Sequence, residues 1–342
     1  MDEQRRTEQK ERLEFRGGWG MSFLPAVIFL FFCVLYFVIF KAFEMYALAM
    51  GAFVGLLAGG LFVKKGHYDR FWDAVHKGAD EAVPIGILLL IIGMFAEMIK
   101  TANLSSGFVW LADSFHVKGG LFTAFTFFAV CVIATATGSS LGTMFTCFPI
   151  FYPAGILLGS SAPVLAGAIV GGAIFGDNLA PISDTTIISA GTQEYTKKPG
   201  TADVGGCVAT RLKYSLTAGS ISFVLFWVFG GGGTGGNGGE KLLAENMDPS
   251  TLIMLIPVVV MLAVAVKSRN IYKAITVGLV LGSVLGVASG ILKFSDILSI
   301  SDGAPAGFLT SGISGMMATV VLVLSVYGIM GVLTAAGVMD RI

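Results

Sequence analysis

Two aspartates stand in a long stretch of apolar sequence, and they are the side chains best suited to bind or move ions. Asp177 and Asp184 belong to the run Phe175-Gly-Asp-Asn-Leu-Ala-Pro-Ile-Ser-Asp-Thr-Thr186, and no lysine or arginine occurs between Lys118 and Lys197. An unpaired carboxylate near the centre of a bilayer costs about 2.5–3.5 kcal/mol. The two carboxylates therefore require a bound cation, a proton or a water-filled cavity.

Pro181 lies between the two carboxylates and removes a backbone donor from any continuous helix. We predict a helix that ends near Gly176, an extended polar stretch, and a new helix capped by Ser183 or Asp184. Free carbonyls, carboxylates and hydroxyls would then lie close together, and these are the oxygen ligands that a small cation such as sodium prefers. The alternative is a cytoplasmic loop between spans, and the absence of nearby basic residues weighs against it.

A second polar segment interrupts the apolar sequence upstream. Thr137-Gly-Ser-Ser-Leu-Gly-Thr143 places four hydroxyl side chains and two glycines in seven residues. Glycine allows the backbone to unwind, and non-helical backbone at membrane depth is tolerated where protein or a water-filled cavity satisfies it. Close packing of helices through small residues uses the same residue types and remains an alternative for this segment.

Glu97 is a third charged candidate within an apolar run. It precedes Lys100 by three residues, so the two side chains can pair on one helix face. An ion pair at the end of a span is the favoured interpretation, and a proton relay through Glu97 is the alternative.

The composition indicates which elements must position these residues. The chain is 55% hydrophobic and 13% charged, with a mean hydropathy of +0.81, which is typical of a multi-pass membrane protein. Apolar runs long enough to cross a bilayer predict an all-α fold with about ten transmembrane segments, some of them broken. The runs lie at about 23–40, 44–63, 84–99, 120–137, 144–159, 163–176, 214–230, 251–266, 273–291 and 313–337.

The distribution of basic residues predicts the orientation. The first twenty residues carry five lysines and arginines, and the loops predicted at 64–83, 191–213 and 267–273 are also rich in them. Ten crossings place all of these regions on one side, which the positive-inside rule makes cytoplasmic. We therefore expect a protein of the cytoplasmic (inner) membrane with its N-terminus in the cytoplasm.

Several other classes of protein fit poorly. The formal net charge of zero argues against a nucleic-acid partner. The cysteines, of which Cys207 is predicted in a polar loop, and the histidines have no metal-ligand spacing, and no cofactor is expected. The serine of Gly312-Ile-Ser-Gly315 has no later histidine to serve as its base, so an intramembrane protease is rejected and no enzymatic activity is expected. Two different broken segments favour an alternating-access carrier over a channel.

The motifs resemble one known family. Gly172-Ala-Ile-Phe-Gly-Asp-Asn-Leu-Ala-Pro-Ile-Ser-Asp-Thr-Thr186 resembles the signature of the NhaC-type sodium/proton antiporters, Gly-Ala-x-Phe-Gly-Asp-Lys-x-Ser-Pro-x-Ser-Asp-Thr-Thr. Thr137-Gly-Ser-Ser-Leu-Gly-Thr143 resembles that family's Thr-Gly-Thr-Ser-Trp-Gly-Thr hairpin. Asn178 stands where the family usually has lysine, which removes a positive charge beside Asp177, and Leu141 replaces a tryptophan.

The resemblance implies an inverted-repeat ion-transporter fold that exchanges cytoplasmic sodium for external protons, with organic acids such as malate and lactate, or amino acids, as alternative substrates. It implies sodium at Asp177 and Asp184. The wider ion or substrate site would comprise Asp177, Asn178, Ser183, Asp184, Thr185 and Thr186, with Thr137, Ser139, Ser140 and Thr143 facing them.

We expect four regions along the chain, with the lipid bilayer and small cations as partners and a homodimer as one open arrangement. These are a cytoplasmic tail (1–20), a first membrane half with the motifs (21–229), a Gly-rich linker (230–250) and the start of a second half (251–342). Because members of the NhaC-type family continue beyond the position that corresponds to Ile342, we expect the chain to be truncated at its C-terminus.

Overall fold

The computed structural model is almost entirely helical. It describes residues 12–42, 44–180, 183–191, 193–194, 200, 202–233, 247–268, 270–301 and 303–338, and for Asp184, Ile187, Ile188, Gly191 and Val266 only the backbone is described. The α-helices in chain order are α1 (Leu24–Cys33), α2 (Met45–Leu61), α3 (Tyr68–Thr101), α4 (Leu104–Ser114), α5 (Gly119–Thr137), α6 (Ser140–Leu157), α7 (Ala162–Leu179), α8 (Asp184–Gly191), α9 (Val204–Phe229), α10 (Leu255–Ser268), α11 (Ile271–Ala288), α12 (Phe294–Ile297) and α13 (Phe308–Ala335).

Short irregular helices extend two of these elements, and one small hairpin interrupts the helical pattern. A 3-10 turn at Trp19–Phe23 and a π-helical turn at Val34–Ile39 flank α1, and a second 3-10 turn at Pro249–Met254 precedes α10. Strands β1 (Ser299–Ser301) and β2 (Ala304–Ala306) pair antiparallel before α13. The fold confirms the predicted all-α class, apart from this hairpin.

The apolar helices agree with the predicted spans. Within the described residues, eight helices are long and apolar enough to cross a membrane, and Met45–Leu61 and Pro249–Ala265 are shorter apolar helices. Each of the ten predicted runs lies on one of these segments. The chain is therefore a multi-pass membrane protein.

Three helix boundaries differ from the prediction. Helix α3 begins at Tyr68, so Arg70 and Lys77 are helical, although we predicted a loop there. Helix α9 begins at Val204, so Cys207 is likewise helical and not in a loop. Helix α7 ends at Leu179 rather than near Gly176. Hydropathy detects only the part of a helix that suits lipid, and polar turns that continue the same helix escape it.

The chain forms two compact units, which comprise Met1–Gly93 with Ile313–Ile342 and Met94–Gly312. The first has a core of Leu56, Phe71, Val75, Ile329 and Val332. The chain before α1 joins this unit through a backbone hydrogen bond from Leu13 to Ala335 and a β-bridge between Phe15 and Val63.

An exposed ion pair accompanies this N-terminal attachment. Lys64 Nζ lies 2.5 Å from Glu14 Oε2, and this hydrogen bond holds the pKa of the Glu14 carboxyl below its ordinary value. Both side chains are about half exposed, so solvent screens their attraction.

The second unit contains the predicted site, and its centre is the packing of α5 against α7 and of α6 against α7. Its core includes Phe122, Val130, Cys147, Leu165 and Ile169. The division into regions predicted from the sequence stays a prediction. Most of the Gly-rich linker, residues 234–246, lies outside the described residues.

Candidate functional site

Asp177 lies in the last turn of α7, and its side chain is only 8% exposed. Its Oδ1 atom is buried and has no hydrogen-bond partner among the described residues. The hydroxyl of Thr186 on α8 is also buried without a hydrogen-bond partner among the described residues, and Thr186 is 0% exposed. Buried polar atoms are nearly always paired, so two orphaned oxygens within one motif make it the candidate site for a ligand.

The helix breaks and restarts around this motif, although α7 ends three residues later than the predicted end near Gly176. After Leu179, Ala180 is extended with φ −72° and ψ 122°, and α8 begins at Asp184. Ser183 is 1% exposed, and its hydroxyl lies 2.8 Å from that of Thr185. Pro181 and the Asp184 side chain lie outside the described residues, so the close approach of Asp177 to Asp184 and the predicted helix cap stay predictions.

The upstream polar segment is also a break between two helices. Helix α5 ends at Thr137, Gly138 adopts φ +64°, and Ser139 caps α6 by accepting a hydrogen bond from the Gly142 amide. A positive φ of this kind favours glycine, which explains that residue here. The hydroxyls of Thr137 and Thr143 meet at 3.0 Å across the turn, so two of the four predicted hydroxyls lie together.

Glycine brings α7 and its aspartate against α5. A Cβ on Gly176 would lie only 2.2 Å from the carbonyl oxygen of Cys131, so no larger residue fits without a shift of backbone. The Thr135 hydroxyl donates to the Gly176 carbonyl at 3.1 Å and to the Cys131 carbonyl at 2.8 Å. The end of α5 therefore packs directly against the turn of α7 that carries Asp177.

Arg211 is the residue that sequence reasoning missed. Its Nη1 donates to Asn178 Oδ1 at 3.2 Å, and its Nη2 donates to Ser189 Oγ at 2.6 Å. Asn178 stands where the family usually has lysine. Arg211 on α9, 33 residues later in the sequence, places a positive charge next to this position. In the sequence, Arg211 stands out only as an arginine that precedes an apolar run. Its contacts with Asn178 and Ser189 arise because α9 packs against α7 and α8.

Glu97 forms the ion pair that was expected at the end of a helix. Lys100 Nζ lies 3.0 Å from its Oε1 atom, and the Lys100 side chain is 70% exposed. The role of Glu97 as a proton relay stays a prediction.

The helices and the two breaks together define a class of protein. The chain is a helical multi-pass membrane protein in which two interrupted helical segments each carry buried or partly buried side-chain oxygen atoms. A model of the Na+/H+ antiporter family matches residues 18–230, and the chain belongs to that family.

The individual relatives are antiporters with low sequence identity to this chain. The chain is 25% identical to the malate-2H(+)/Na(+)-lactate antiporter of Bacillus subtilis over 86% of its own length and 64% of that protein's. It is 25% identical to the arginine/ornithine antiporter ArcD of Halobacterium salinarum, over 96% of the chain and 70% of that relative. It is 23% identical to the Na(+)/H(+) antiporter NhaC of Bacillus subtilis, over 79% of the chain and 63% of that relative. The chain thus spans about two thirds of the length of these relatives, and no solved structure matches it.

Proposed function

We propose that the chain exchanges sodium for protons across the cytoplasmic membrane, and that Asp177 and Asp184 bind both the sodium ion and the proton. The buried Oδ1 atom of Asp177, which lacks a partner among the described residues, carries this proposal. An orphaned carboxylate oxygen at membrane depth is stabilised by a cation or by a proton, so the two ions compete for it.

Neutral oxygens around Asp177 would complete the coordination of sodium. The candidates are the Thr186 hydroxyl, which is buried without a partner among the described residues, and the Ser183 hydroxyl, which lies 2.8 Å from that of Thr185. Protonation of the carboxylate removes the charge that holds sodium, and deprotonation on the other side of the membrane restores it.

One observation favours a second candidate function on the same fold, the exchange of organic acids or amino acids. Arg211 provides a cation next to Asn178, and an organic anion needs such a group. Two of the relatives are named for malate and lactate or for arginine and ornithine, which agrees with this alternative.

The first prediction follows from the proposed competition between sodium and protons for one site. In vesicles that contain the purified chain, a sodium gradient should drive proton movement, and the sodium concentration for half-maximal rate should rise as pH falls. The rise should reach about tenfold per pH unit for each proton displaced, because binding of the two ions is linked. A half-maximal concentration that stays constant across the pH range would contradict a shared site.

A second prediction concerns the hydroxyl pair of the α5–α6 turn. Thr143→Val keeps the shape of the side chain and removes the hydroxyl that meets Thr137. If this pair lines the ion path, the half-maximal sodium concentration should rise by about three- to tenfold, which corresponds to one lost oxygen contact. Thr217→Val is the matched control, because the exposed Thr217 hydroxyl bonds only to the Lys213 carbonyl among the described residues. Equal values for both variants would remove Thr143 from the site.

A further inference from the structure

We propose that the cavity beside Arg211 binds the zwitterion of a free amino acid, with the guanidinium holding the carboxylate. The inference rests on the proposed function, since it places a solute next to the motif that carries Asp177. It names the class of solute and the residues that would select it.

Arg211 is the anchor for the negative end. The side chain is half-buried and is held in place by two uncharged oxygens, Asn178 Oδ1 and Ser189 Oγ. Within the described parts of the chain, no carboxylate lies within ion-pair distance of it. A guanidinium has five N–H donors, so three remain beyond these two hydrogen bonds for a bidentate carboxylate. A partly desolvated charge of this kind is stabilised by an anionic ligand.

The same guanidinium borders a cavity of about 350 Å³ whose other lining side chains include Glu194, Asp203, Gln193 and Thr210. A volume near the lower end of the usual range for binding pockets suits a small solute. Asp203 also caps α9, because its Oδ2 accepts a hydrogen bond from the Gly206 amide at 2.6 Å.

The charges of this cavity distinguish between solutes. Among the described residues, one positive and two negative side chains line it, namely Arg211 against Glu194 and Asp203. A dicarboxylate or a phosphate would meet Arg211 but would be repelled by the two carboxylates. An amino acid presents a carboxylate to Arg211 and an ammonium group to the acidic residues, so each of its charges has a complement.

Direct binding to the purified full chain tests this inference, with calorimetry as the readout. The probes are L-alanine and L-lysine as amino acids, L-lactate, which has only the carboxylate, ethylamine, which has only the ammonium group, and inorganic phosphate. We expect at least one amino acid to bind at least about tenfold more tightly than L-lactate, ethylamine or phosphate.

Two variants test which side chain binds the carboxylate of the solute and which binds its ammonium group. Arg211→Gln should weaken amino-acid and lactate binding by at least about tenfold and leave ethylamine unaffected, whereas Glu194→Gln should weaken amino acids and ethylamine but not lactate. Glu194 is exposed, so its variant keeps the inference testable if Arg211→Gln does not fold. Lys213→Gln, which removes an exposed cation from the same helix, should change nothing.

Three results would overturn the inference: no binding of either amino acid to the wild-type chain, binding of lactate or phosphate as tight as that of the amino acids, or equal affinities in Arg211→Gln and Lys213→Gln. Sodium-driven proton movement in the same preparation separates this failure from that of the proposed function. Exchange without amino-acid binding contradicts the inference alone, and amino-acid binding without exchange contradicts sodium/proton antiport alone.

Discussion

Asp177→Asn should reduce sodium-driven proton movement by about a hundredfold or more while the protein still folds. The amide has nearly the same shape as the carboxylate, but it carries no negative charge and does not gain or lose a proton near neutral pH, and both ions therefore lose their common ligand. Because the Asp177 Oδ1 atom is buried without a partner among the described residues, removal of the charge should leave thermal stability unchanged or raise it. Transport in vesicles and thermal unfolding in detergent measure the two effects on one preparation.

Asp113→Asn is the matched control for this substitution. Asp113 lies on α4 and pairs with Lys118 Nζ at 2.7 Å, with both side chains partly exposed. An exposed pair of this kind contributes little, so transport and stability should both stay near the wild-type values. Wild-type exchange by the Asp177→Asn protein would remove this aspartate from the ion site.

Gly176→Ala should lower the free energy of unfolding by about 1–3 kcal/mol, which is the usual cost of overpacking a filled interior. The new methyl group would lie 2.2 Å from the Cys131 carbonyl oxygen, and further contacts come from Ala134 Cβ and the Thr135 amide. These atoms are mostly backbone, so the helices α5 and α7 must separate. Thermal unfolding measures the loss, and transport should fall with it because the same turn carries Asp177.

Gly167→Ala offers the control within the same helix. No atom lies within 4 Å of a Cβ built on Gly167, and alanine is the better helix former. Its stability should equal or slightly exceed that of the wild type. If the two alanine variants unfold at the same temperature, the close approach of α7 to α5 at Gly176 is contradicted.

Local features of the site could be predicted from the sequence because backbone chemistry alone decides them. Pro181 interrupts hydrogen bonding wherever it falls, and Gly138 tolerates a positive φ that other residues resist. The helix restart at Asp184 and the turn between α5 and α6 follow from such residues. The apolar runs likewise identified the membrane-spanning helices, because lipid imposes both their length and their composition.

Features that depend on packing between distant segments could not be predicted in this way. Arg211 reaches Asn178 because α9 lies against the end of α7, and no spacing in the sequence encodes that approach. The extension of α7 to Leu179 is a related case, because its last turn contains a polar side chain, Asp177, that is nevertheless buried by its neighbours. The position of Asp177 in the helix, rather than after it, is the consequence that matters for the site.

That position gives the site a second source of negative potential. Helices α5 and α7 end at Thr137 and Leu179, within a few residues of the contact between Cys131 and Gly176. The C-terminus of a helix carries a partial charge of roughly −0.5 from its unpaired carbonyls. Helices α6 and α8 begin at Ser140 and Asp184, and the free amides at these N-termini carry the opposite partial charge of roughly +0.5. The two breaks therefore present carbonyl ends that suit a cation and amide ends that suit an anion, and under the proposed function the proton on Asp177 changes only the part of this field that comes from the carboxylate.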